Sequence, residues 1–210
     1  EDPCGVCHYK GYTYVISGTY GKGIARLNGD GGITKGFINV STFANGLIAH
    51  DDRLYTAIKE FYQTKVCVYE LSGKRVHSWK HSDKGIFNGL TFNFEARTLT
   101  VFRDQLVIAD INEFTIYSLT GERLRVVGCN QLGTSRGALC HAGVDSIIVT
   151  NCDASPALFK FNLATAAVEW TSNAIKQFSA VTMLNKEYAL VTENQSSHHV
   201  KLYIINQVTG

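Results

Sequence analysis

The sequence predicts an all-β protein, a β-propeller of four-stranded antiparallel blades with five recognisable repeats. Three observations carry that prediction. Aromatic and β-branched residues fill the apolar runs (Tyr 10, Phe 11, Trp 2), while Gly, Asn, Asp and Ser gather between them. The runs are short and closely punctuated, as in "QLVIADINEFTIYSLTGERLRVV" (105–127), which alternates, turns and alternates again. One apolar segment also recurs at a nearly fixed interval along the whole chain.

That segment is the second strand of each unit. "YTYVIS" (12–17), "RLYTAIK" (53–59), "QLVIAD" (105–110), "SIIVTN" (146–151) and "YALVTE" (188–193) fall into register, each ending in a polar residue: Ser17, Lys59, Asp110, Asn151 and Glu193. A first strand precedes each of the last four: "NGLIAH", "RTLTVF", "GALCHAG" and "SAVTML". The opening "CGVCHYK" leads directly into the first unit. A polar loop and a third strand follow: "GIARLN", "KVCVYEL", "FTIYSL", "ALFKFNL" and "VKLYIIN". Fourth strands are visible in "SGKRVHSW", "TGERLRVV" and "ATAAVEW". Four strands at a period near 42 residues describe a propeller blade. A β-sandwich, the competing all-β arrangement, has no reason to hold so constant a step.

One longer step implies about ten inserted residues within "HSDKGIFNGLTFNFEA" (81–96). The fifth unit runs out at "NQVTG", where its fourth strand is due. Either further chain or the N-terminal segment would complete it. Within 105–127, Leu106, Ile108, Ile116, Leu119 and Leu124 are expected on buried faces. The whole of 1–210 reads as a single domain. The chain does not begin with Met and is expected to be a fragment of a longer protein.

Bulk properties narrow the function classes. Net charge is +2, so no strong global field draws a polyanion. No run of 18 apolar residues is present, and no membrane partner is expected. No signal peptide is visible, and the six cysteines read mainly as reduced core residues, so a cytoplasmic location is expected, with secretion the alternative. "CGVCH" (Cys4, Cys7, His8) has haem-attachment spacing but runs into a strand, where neighbouring side chains part to opposite faces. His198 and His199 are a poor metal pair for the same reason. Asp51 and Asp52 read as a structural turn. No hydrolase or P-loop motif occurs, and no cofactor or metal is expected.

The segment that invites a ligand is "KEFYQTK" (59–65), a loop in which Lys59 and Lys65 flank Phe61 and Tyr62. Bases stack on aromatic faces while ammonium groups meet phosphates, so the chemistry suits single-stranded RNA. Aromatic anchors serve a protein interface equally well. Equivalent loops of other units would share the rim and contribute Tyr20 and Lys22, then Asn112 and Phe114. Residues 53–84 hold seven Lys/Arg against three acids, although Lys74 and Arg75 belong to the opposite turn.

Three units resemble known repeats. "LVIAD", "INEF", "TIYSL" and "TGE" in the third unit resemble an NHL repeat. "RLYTAIKEFYQTKVCVYELSGKRVHSW" resembles the same unit with Lys59 in place of the usual Asp. "SIIVTNCDASPALFKFNLATAAVEW" looks like a pyrroloquinoline-quinone-type repeat with its closing Trp170. NHL propellers stand at the C-terminus of tripartite-motif ubiquitin ligases and bind RNA or protein. The resemblance therefore implies a non-catalytic recognition module, with catalysis on another domain. The alternatives are a secreted ligand- or carbohydrate-binding propeller and a metal-dependent propeller hydrolase or lyase.

Overall fold

The computed structural model describes residues 3–17, 23–40, 44–60, 63–82, 98–110, 112–130, 132, 139–151, 157–172, 178–196 and 199–209. Every element among them is a strand. Sheet one holds β1 (Pro3–Tyr9), β2 (Tyr12–Ser17), β3 (Ile24–Leu27) and β4 (Ile33–Ile38). Sheet two holds β5 (Ala44–His50), β6 (Arg53–Glu60), β7 (Gln63–Glu70) and β8 (Arg75–Ser82). Sheet three holds β9 (Thr98–Phe102), β10 (Gln105–Ala109), β11 (Glu113–Ser118) and β12 (Arg123–Gly128). Sheet four holds β13 (Leu139–Ala142), β14 (Ser146–Thr150), β15 (Leu158–Asn162) and β16 (Ala167–Ser172). Sheet five holds β17 (Phe178–Met183), β18 (Tyr188–Ser196) and β19 (His199–Asn206).

Each sheet is an antiparallel meander paired in chain order, the form of a propeller blade. The repeated segment is the second strand in all five, as the sequence predicts. β4 is a fourth strand that sequence reading did not name, because Gly36 interrupts "ITKGFI". β1 heads sheet one, so the N-terminal segment does not complete sheet five. The expected insertion within 81–96 falls almost wholly outside the described residues.

Two compact units make up the chain: Glu1–Leu99 with Leu119–Glu122, and Thr100–Ser118 with Arg123–Gly210. In the first, sheets one and two enclose a core of Tyr14, Ile16, Ile24, Leu47, Leu54, Ile58 and Cys67. β1 lies beside β5, so the first strands of neighbouring blades approach each other. In the second unit, sheets three and four pack through Phe114, Ile116, Ile147, Val149, Phe159 and Phe161. Sheets four and five pack through Ile148, Leu158, Val181, Ala189 and Val191, with β13 beside β17.

Packing on both sides explains the uninterrupted apolar runs. Leu106, Val107, Ile108 and Ala109 of β10 are all buried, as is every residue of β14. The expectation of one buried face per strand is therefore too narrow for central strands and too generous for the outer one. Leu106, Ile108 and Ile116 are buried and Leu119 is half-buried, but Leu124 on β12 is 44% exposed. The fourth strand has no partner on its outer edge and meets solvent along most of its length.

Two local devices recur. The first-to-second-strand turns Lys10–Gly11, Asp51–Asp52 and Arg103–Asp104 have positive φ at both central residues, the geometry of a two-residue hairpin whose twist matches the strands. The pairing of third with fourth strand shifts register in sheets one to four, at Ile24/Arg26, Val68/Tyr69, Ile116/Tyr117 and Lys160/Phe161. Such bulges add twist where the sheet fans outward.

Candidate functional site

The loop joining second to third strand closes one end of each sheet; the first-to-second-strand and third-to-fourth-strand turns close the other. In sheet two the loop end is built by β6, β7 and β8. Lys59 pairs with Thr64 beside the hairpin, Ile58 with Lys65, and Lys65 with Lys80 across β7 and β8. Lys65 is half-buried and Lys80 exposed. A cross-strand pair brings Cβ atoms to about 5 Å, so two ammonium stems leave the same sheet end side by side. Lys80 was counted in the sequence only as part of a local charge excess. Its place beside Lys65 depends on a register shift in β8 that no sequence pattern announces.

The other predicted residues divide. Phe61, Tyr62, Tyr20 and Lys22 lie outside the described residues, and of Lys59 only the strand position is described. Asn112 is exposed, with φ +60, and its carbonyl accepts the Cys129 amide at 2.7 Å, which ties the 110–112 loop to the end of β12. Phe114 is a correction. It is the second residue of β11, fully buried, with its ring 5.2 Å from that of Phe161. "DINEF" re-enters the sheet one residue earlier than the sequence suggests: the Asp110 amide donates to the Glu113 carbonyl at 2.9 Å, and β11 begins at Glu113.

Two of the residues ending the second strands are buried within their own sheets. Asn151 is buried, and Glu193 is buried and accepts the Tyr203 hydroxyl at 2.8 Å. Among the described residues no group of three His, Cys, Asp or Glu could hold a metal. In the haem-like motif, Cys7 packs against the sheet one–two core, whereas His8 is exposed on the other face, with Nδ1 3.0 Å from the Thr13 hydroxyl. Burial pushes the Cys7 thiol up to about 12, and likewise Cys140; a backbone hydrogen bond only partly offsets it. Cys7, Cys67, Cys129 and Cys140 take part in no disulfide.

The opposite end of the sheets is braced by charge. Lys10, in the first turn of sheet one, meets Asp52 in the corresponding turn of sheet two at 2.5 Å. Arg103 meets Asp145 in the same relation between sheets three and four at 3.0 Å. These acidic residues are engaged in holding neighbouring blades, in keeping with a structural role for Asp51–Asp52.

No family model matches the chain, and no curated protein matches it. Solved structures do. A protein of unknown function from Bacteroides caccae superposes with TM-score 0.73 at 13% identity, over 99% of this chain and 78% of that one. The WD40 β-propeller domain of Doa1 gives TM-score 0.62 at 9% identity, over 96% of this chain and 64% of that one. The Dos1 propeller gives 0.58 at 14%, over 98% and 58%. The chain thus spans less than two thirds of the latter two structures. At such identities the likeness shows the fold, an all-β propeller.

Proposed function

We propose that the protein is a non-catalytic recognition module that binds a partner protein through the loop end of sheet two, by way of an acidic segment of that partner. The observation that carries this reading is the pairing of Lys65 with Lys80 at the loop end of sheet two. Two ammonium-bearing side chains leaving one sheet end give a carboxylate-bearing segment a charge-complementary seat, and Phe61 and Tyr62 in the adjoining loop would supply aromatic anchors. Propellers commonly serve as protein-binding platforms, which supports the same class. The NHL resemblance extends the reading to the substrate-recognition domain of a tripartite-motif-like ubiquitin ligase in the cytoplasm, where buried reduced thiols are at home.

Single-stranded RNA is the second reading, favoured by the aromatic pair between lysines. Fluorescence anisotropy with a labelled oligoglutamate peptide and a labelled oligouridine separates the two. The peptide should bind the natural chain, and Lys65→Glu with Lys80→Glu should weaken it at least about tenfold, since charge-assisted contacts are lost and replaced by repulsion. Oligouridine binding that falls steeply with salt, with an inert peptide, would transfer the site to RNA. Binding of neither probe would remove this end of sheet two from consideration, as would Phe61→Ala/Tyr62→Ala leaving both affinities unchanged.

A further inference from the structure

Three buried polar atoms without a partner collect in one corner of sheet one. The Tyr14 hydroxyl, the Arg26 Nε–H and the Asn28 Oδ1 all lack a hydrogen-bond partner. Tyr14 of β2 pairs with Arg26 of β3, and Asn28 follows Arg26 by two residues, the spacing that returns a side chain to the same face. Buried polar groups are nearly always satisfied, so three together call for a partner from outside the fold.

Packing holds Arg26 in place. Its guanidinium carbon lies 4.9 Å from the ring centroid of Tyr12 on β2 and 4.5 Å from that of Phe37 on β4, the strands on either side of its own. The Tyr14 ring lies 6.4 Å from that of Tyr12 and 6.0 Å from that of Phe37, so three aromatics fence the guanidinium. Among the described residues no carboxylate pairs with it: in this part of the chain Asp52 is engaged by Lys10, and Asp30 accepts the Gly32 amide. A cation stacked on aromatic faces, with no acceptor at its hydrogen-bonding edge, is suited to receive an oxyanion.

The inventory of donors and acceptors selects the ligand. Burial raises the pKa of the Tyr14 hydroxyl, which therefore stays protonated and can donate. Arg26 donates beside it, and a carboxylate matches the planar fork of a guanidinium. Asn28 Oδ1 asks for the reverse, a hydroxyl that donates. Tyr12 is the exposed member of the group, while Arg26 and Asn28 are half-buried, so the corner faces solvent past the Tyr12 ring. Atoms lying so deep admit a small molecule, not a polypeptide.

We propose that this corner of sheet one binds a small hydroxycarboxylate, its carboxylate on Arg26 and Tyr14 and its hydroxyl on Asn28, with the Tyr12 ring over the entrance. The site is separate from the Lys65–Lys80 pair of sheet two and shares no residue with it.

The test is an NMR titration of the 210-residue chain that follows the Arg26 Nε–H signal, assigned by its loss in Arg26→Lys, with glycolate, acetate and inorganic phosphate as probes. Glycolate should shift the signal saturably and bind at least about threefold more tightly than acetate, which leaves the Asn28 acceptor unsatisfied. Tyr14→Phe, which keeps the ring, should weaken glycolate at least about fivefold, since a bond to a charged group is lost. Asn28→Ala should abolish the preference for glycolate over acetate. Lys65→Glu with Lys80→Glu should leave glycolate binding unchanged. Absence of a saturable shift with any probe would overturn the proposal and assign the three atoms to water. Equal affinity for glycolate and acetate would overturn it too, as would a response to phosphate alone, an undiminished affinity in Tyr14→Phe, or loss of glycolate binding in the sheet-two variant.

Discussion

The rings of Phe114 and Phe161 lie 5.2 Å apart and inclined by 42°, joining the third strands of sheets three and four. Both are fully buried. An offset, tilted aromatic pair adds to the area each ring removes from water, and no solvent can refill the space. Phe114→Ala should destabilise the chain by about 3–5 kcal/mol, the usual cost of emptying a buried aromatic site. Denaturant unfolding followed by Trp fluorescence would check it, and a loss below about 1 kcal/mol would contradict the burial described.

Tyr14 offers the opposite experiment. Its ring is fully buried, paired across strands with Arg26, and its hydroxyl has no hydrogen-bond partner. Burial raises the hydroxyl's pKa, with Arg26 pulling the other way. A buried donor without a partner forfeits its hydration, so Tyr14→Phe should leave stability unchanged or raise it by about 1 kcal/mol. A marked loss of stability in the same unfolding assay would mean that the hydroxyl holds a bond after all.

Glu169 should shape the acid limb of stability. Desolvation pushes its carboxyl up, but hydrogen bonds from Ser146 (2.6 Å), Asn162 (2.9 Å) and the Lys160 ammonium (3.0 Å) together hold its pKa below the ordinary value. A folded-state pKa below the unfolded one contributes stability above the unfolded pKa and loses it as pH falls through the folded one. Glu169→Gln should therefore lower stability near neutrality and make it less dependent on pH below the ordinary carboxylate range. Thermal melts from pH 7 to pH 3 would reveal either the flattening or its absence.

The thiols should be chemically quiet. The Cys7 and Cys140 thiols are raised to about 12 by burial, and Cys67 and Cys129 are buried. Because the thiolate is the nucleophile, iodoacetamide at pH 8 should modify these four slowly in the folded chain and rapidly in denaturant. Peptide mapping by mass spectrometry assigns each site. Fast labelling of Cys140 in the native protein would overturn its burial.

The second strands were readable from sequence because each is a dense apolar run that stops at a polar residue, and the interval between them survives differences in loop length. β4 escaped notice because Gly36 leaves too little apolar signal on an exposed outer strand. Phe114 was misplaced for a related reason: a single aromatic at a strand's entrance looks the same whether it faces a ligand or a core. The partnership of Lys65 with Lys80 was invisible, since it depends on pairing register. The aromatic half of the proposed site, Phe61 and Tyr62, was legible as composition and is untouched by the described geometry.

The uninterrupted apolar character of β10 and β14 bears on how the chain finds its alignment. In a strand with one wet face, sliding by a single residue would drive polar groups inward and be rejected at once. Here such a slip exchanges one aliphatic for another, as Ile147 for Ile148, and the core barely objects. Correct alignment must then be enforced from the corners, by hairpins such as Asp51–Asp52 and Arg103–Asp104 whose backbone angles admit one closure and resist the next. Lengthening one of those corners by a residue should scramble this protein more than many substitutions in its interior.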